Sequence, residues 1–197
     1  MTDHFDMLLV QLESSDIQQR SQAIFELQPD KISDERVIPY LVNILCTEPD
    51  LNIVEDATWV LVRYGTDAIP ALLKAMTHDN ALARHNIVHA LGKIADRQAV
   101  PALKVATQDT DSTVRQKAVY ALGQIGDADA IDTLILKLDD PVQDIRWTAR
   151  EALETFGKIA LPQLIQAFTM ESPQVRELSA SLLGDIADSS SVDALIK

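Results

Sequence analysis

The chain has 197 residues, of which 47% are hydrophobic and 24% charged, a composition that folds and does not stay disordered. Its 30 Asp+Glu against 17 Lys+Arg leave a net charge of -13, which repels phosphate backbones and argues against nucleic acid as a partner. No apolar run approaches the ~20 residues of a membrane span, Met1-Thr2-Asp3-His4 lacks the flanks of a signal peptide, and the single cysteine, Cys46, fits a reducing, cytoplasmic setting.

Paired helical patterns follow one another along the chain. A first pair ends in a helix starting near Ile17, and an insertion from Pro29 to Arg36 lengthens the junction after it. Cys46 closes the first helix of the second pair. Later second helices start near Ile53, Ala81, Ser112, Gln143 and Gln174. The first helix of a unit opens with proline, as in Ala68-Ile69-Pro70, Ala99-Val100-Pro101 and Ala160-Leu161-Pro162, where the missing N–H costs nothing. A polar turn then caps the second helix, as in Asp109-Thr110-Asp111-Ser112. In that helix Val114, Ala118, Ala121, Leu122 and Ile125 fall on one apolar stripe, and its small Ala and Gly positions permit close packing. Gly92 and Gly123, Gly126 and Gly157, and Arg84, Arg115, Arg146 and Arg176 share a beat of about 31 residues, a period that marks a repeat architecture. The expected fold is all-α, an α-solenoid of about six two-helix repeats over residues 1–197. A last unpaired helix is expected around Val192, Ala194, Leu195 and Ile196.

The run from Asp111 to Asp127, and that from Asp79 to Leu103, resembles the short HEAT-like repeat of phycobilisome lyases. The resemblance covers nearly the whole chain. It implies a subunit of a phycobiliprotein bilin lyase, which helps attach an open-chain tetrapyrrole to a cysteine of a phycobiliprotein through a thioether. The bilin, phycocyanobilin or phycoerythrobilin, is then a substrate, with no tightly bound cofactor. The implied partners are a phycobiliprotein subunit and a second HEAT-repeat chain. The same repeats occur in bilin chaperones, in phycobilisome degradation and in unrelated scaffolds, so a non-catalytic adaptor is the alternative.

Solenoids bind through the face lined by second helices. There Tyr120 lies opposite the apolar stripe, and its equivalents are Phe25, Trp59, His89, Glu151 and Ser181, so four successive units carry a ring there. Lys117 stands beside it, with equivalents Asp56 and Asn86. One turn on, Arg63 and Lys93 match Gln124. The expectation is a basic inner patch in which rings stack on pyrroles and cations pair with propionates. Asp56 or His89 would deliver the proton that thioether formation needs. An interface for a protein partner explains the same column, because aromatic residues and Arg are enriched there. His85 and His89, four apart, lack an evident third metal ligand. Cys46 has no activating neighbours in sequence. The arginine series reads as a structural ladder to the aspartates and helix ends of adjacent units, and Trp147 as a partly exposed ring that either extends the binding face or packs against the next unit.

Overall fold

A computed structural model describes residues 4–186. Among them, every regular element is an α-helix or a short 3-10 helix. The chain divides into two compact units, Met1–Asp96 and Arg97–Lys197. The expected helix around Val192 to Ile196 lies outside the described residues.

The first unit contains α1 (His4–Leu12), α2 (Ile17–Glu26), α3 (Val37–Thr47), α4 (Leu51–Tyr64), α5 (Ile69–Ala75) and α6 (Ala81–Ile94). These pair as hairpins, α1 with α2, α3 with α4 and α5 with α6, and α4 packs between α2 and α6. Each second helix starts at an acceptor side chain: the Gln18 N–H donates to Asp16, those of Asn52 and Ile53 to Asp50, and that of Leu82 to Asn80. The cap at Asp50 sets the start of α4 two residues before Ile53. Ile24, Ile53, Ala57, Leu61, Ile87 and Leu91 form the buried seam between these helices. Thr58 joins that seam because its hydroxyl donates to the Val54 carbonyl at 2.8 Å.

The insertion after α2 is pinned at both ends. The Tyr64 hydroxyl donates to the Leu27 carbonyl at 2.9 Å. Arg36 pairs with Asp34 and, at 2.9 Å, with Asp6 of α1, and lies 4.7 Å over the Phe5 ring. Ile32 is buried beneath it.

The second unit contains α7 (Val100–Ala106), α8 (Ser112–Ile125), α9 (Ile131–Leu136), α10 (Gln143–Phe156), α11 (Leu161–Gln166) and α12 (Pro173–Ile186). Val114, Ala118, Ala121 and Leu122 are buried as the stripe requires, while Ile125, in the last turn of α8, is only half-buried. A Cβ on Gly123 would lie 2.7 Å from Cβ of Ala152, so this glycine lets α8 and α10 close on each other. The left-handed residue after α8 is Gly126, but after α6 it is Ala95, at φ 56°. That conformation costs a non-glycine residue about 1 kcal/mol.

The arginines play one role repeatedly. Nη1 of Arg84 donates to the carbonyls of His78 and Asp79, that of Arg115 to Asp109 and Thr110, that of Arg146 to Asp140 and Pro141, and that of Arg176 to Met170 and Glu171. Each arginine therefore closes the turn inside its own hairpin, which corrects the expectation of bonds mainly between units. Arg115 also crosses to the next hairpin. Its Nε and Nη2 donate to the Asp140 carboxylate at 3.1 and 3.2 Å.

Candidate functional site

The surface of α4 and α6 gathers an indole, an ammonium, an imidazole and a carboxylate. Trp59, on the outer side of α4, is 51% exposed. Lys93, one residue before the end of α6, places Nζ 4.3 Å from the indole centroid. The same ammonium pairs with Glu55 at 2.9 Å, and Nε2 of His89 lies 3.3 Å from the other Glu55 oxygen. Glu55 and Trp59 are one turn apart on α4, as His89 and Lys93 are on α6, so two i,i+4 pairs face each other. Partial burial pushes the Glu55 carboxyl up. The Lys93 ammonium and His89 more than reverse this and hold it below the usual carboxylate range. It is therefore ionised at neutral pH and is no proton donor.

The sequence placed Trp59, His89 and Lys93 in this group, and the structure brings them together. It removes Asp56 from it. The Asp56 carboxylate accepts the Ser21 hydroxyl of α2 at 2.6 Å, so it faces α2 while Trp59 faces α6. Glu55 is the acid beside the indole, and sequence reasoning missed it. Asn86 is also corrected: it is 7% exposed, and its amide donates to the Leu45 carbonyl at 3.0 Å. It serves the core of α3 and α6, not the surface. Phe25 of α2 is also exposed.

The basic patch is not basic in its geometry. Arg63 pairs with Asp30 of the insertion at 3.1 Å, and Lys93 is neutralised by Glu55. Exposed pairs of this kind stabilise by only ~0–1 kcal/mol. They fix side-chain positions while leaving little free charge. In the second unit, Lys117 of α8 sits 5.7 Å from the ring centroid of Tyr120, which is 50% exposed. That is a second, separate cation–ring pair. Trp147 of α10 is 54% exposed, as expected.

Cys46 is half-buried, and burial pushes its thiol up, away from the reactive thiolate. The described residues hold no group of three metal-ligating side chains. None of their helices is long and apolar enough to cross a membrane.

A family model for HEAT repeats matches residues 5–84 and 69–154. The chain belongs to the HEAT-repeat family. No curated protein matches it. Among solved structures, the complex of CpcE and CpcF of phycocyanin lyase from Nostoc sp. PCC7120 is similar at 21% identity and a TM-score of 0.53, over 98% of this chain and 81% of that one. A designed armadillo repeat protein in complex with the peptide (KR)4 is similar at 18% identity and a TM-score of 0.50, over 94% of this chain and 100% of that one. Kap95p, in its structure with RanGDP, is similar at 15% identity and a TM-score of 0.61, over 96% of this chain but only 32% of that one. These likenesses are of fold: this HEAT-repeat chain is an all-α solenoid of helical hairpins.

Proposed function

We propose that this HEAT-repeat chain is a docking module whose contact surface centres on Trp59, and that its partner is a phycobiliprotein subunit handled together with a second HEAT-repeat chain. The half-exposed indole carries the reading. One side of it is covered by Lys93, which is itself paired with Glu55, and this contact narrows the ring's choice of rotamer before any partner arrives. An ordered, open tryptophan loses little entropy on binding and is a characteristic interface anchor. Phe25 on α2 adds a second ring to the same helical layer. The partner class is supported by the repeat resemblance and by the likeness to the complex of CpcE and CpcF of phycocyanin lyase.

A second reading, as a bilin lyase subunit, is favoured by the same ring-and-charge cluster. A tetrapyrrole would stack on Trp59 with its propionates near Lys93 and Arg63. The acceptor thiol would add to the pigment, which takes up a proton. With Glu55 ionised and Asp56 bonded to Ser21, His89 is the remaining group of the two suggested acids.

One experiment separates these readings. The chain is coexpressed with a phycobiliprotein subunit and a bilin source, with and without a second HEAT-repeat chain of the lyase type. Stable co-purification that Trp59→Ala reduces at least about tenfold supports docking. Bilin fluorescence on the denatured acceptor only when this chain is present supports lyase function. Absence of both refutes the assignment.

A further inference from the structure

We propose that the groove between α10 and α12 binds an acidic linear segment of a partner protein, with a carboxylate held by Arg146. This surface is independent of the Trp59 cluster. The groove is a cavity of about 200 Å³ lined by Gln143, Arg146, Trp147, Arg150, Gln174 and Leu178. Among the described residues no carboxylate lines it, in a chain whose net charge is -13.

The ladder defines what Arg146 can do. Arg115 and Arg146 are anchored alike, through Nη1 and two turn carbonyls. Arg115 uses its remaining fork, Nε and Nη2, to grip the Asp140 carboxylate. Asp140 is also the residue whose carbonyl anchors Arg146. The corresponding residue one hairpin later, whose carbonyl anchors Arg176 at 2.8 Å, is Met170. At the repeat position where Arg115 finds Asp140, the next hairpin carries Met170. Among the described residues, Arg146 makes no ion pair. The other arginine of the groove, Arg150, is already occupied by Glu154 and Asp185.

A guanidinium fixed by two carbonyls and lacking its carboxylate is pre-organised for bidentate capture of one. The groove then selects what accompanies that carboxylate. Trp147 and Leu178 offer apolar contact, and the amides of Gln143 and Gln174 can bond a peptide backbone. The fitting occupant is an extended segment with Glu or Asp next to a hydrophobic residue.

The test uses fluorescence polarisation with two labelled peptides of about eight residues, one alternating leucine with glutamate, the other leucine with glutamine. The glutamate peptide should bind at least about tenfold more tightly, and the preference should weaken with added salt. Arg146→Gln should abolish the preference. Met170→Asp, which restores the missing ladder carboxylate, should abolish it as well, with the urea midpoint unchanged or raised. That second variant keeps the test decisive if Arg146→Gln unfolds. The proposal is overturned if the two peptides bind alike, or if neither binds. It is equally overturned if Met170→Asp leaves the preference intact, or if RNA displaces the peptide while free glutamate does not.

Discussion

Asp140 joins more elements than any other charged side chain described above, and removing it offers the sharpest test of how the repeats are held. Its side chain is 2% exposed. It accepts both fork nitrogens of Arg115 and the Val142 N–H at 3.1 Å, and Lys137 Nζ lies 3.5 Å away. Arg115 and Lys137 are themselves only 13% and 8% exposed. Asp140→Ala thus leaves two nearly buried cations without a counter-charge and the Val142 N–H, just before α10, without its side-chain acceptor. Breaking a buried pair in this way costs about 3–5 kcal/mol. The Lys137 stem can swing its ammonium to water, so about 3 kcal/mol is expected here. With a urea m-value of about 2 kcal/mol/M, the midpoint should fall by about 1.5 M. Asp140→Asn, which keeps an acceptor for Val142, should cost about 2 kcal/mol. Combining it with Arg115→Met should cost less than the two separate losses together, by at least about 1 kcal/mol. The pH dependence has a definite sign. Burial raises the Asp140 carboxyl, but Arg115, the Val142 N–H and Lys137 overcome this and hold it low. Its contribution is therefore present above the ordinary aspartate value of about 3.9 and fades as pH falls through the lower folded value. The gap between wild type and Asp140→Asn should close in that acidic range. A cost below about 1 kcal/mol for Asp140→Ala at neutral pH, with additive losses in the double variant, would refute the reasoning.

Three smaller perturbations test the packing and the Trp59 surface. Gly123→Ala should destabilise by about 1–2 kcal/mol, since the clash with Ala152 Cβ at 2.7 Å outweighs the helix propensity gained. Ala152→Gly in the same chain should recover part of that loss in urea unfolding. Ala95→Gly should stabilise by about 0.5–1 kcal/mol, because the residue already sits at φ 56°; a lower thermal midpoint would contradict the left-handed geometry. For Trp59, emission recorded in a Trp147→Phe background should change as pH falls below the usual carboxylate range, when Glu55 takes a proton and releases Lys93. The change should vanish in Glu55→Gln, and the accompanying stability loss should stay under about 0.5 kcal/mol for so exposed a pair.

The repeat beat made the fold legible because it is carried by residues whose local physics is unambiguous. Proline at the first helical turn, aspartate at the cap and small residues at the closest helix contact mean the same thing in any tertiary setting. The surface was read from the same beat, and there the method met its limit. Aligning second helices by number puts Trp59, His89 and Tyr120 at one place, and this found the exposed rings. It also put Asp56 beside Trp59, because the two are three apart on one helix. Which neighbouring helix a half-buried side chain turns to is set by packing, and α4, besides its hairpin mate α3, lies between α2 and α6. Asp56 turns to Ser21 of α2, and Glu55 turns to His89 and Lys93 of α6. Asn86 failed for a related reason: a polar residue reads as surface until a carbonyl is found for it, and the end of α3 supplies Leu45. The pairing Glu55/Trp59 against His89/Lys93 was present in sequence as two i,i+4 couples of complementary charge. It becomes visible once register is compared between facing helices and not only along the repeat. The same comparison exposes the broken step of the ladder, where Met170 stands in the place that Asp140 fills one hairpin earlier. Departures from a period mark the residues that the repeats leave uncommitted, because the residues that obey it are already occupied with each other.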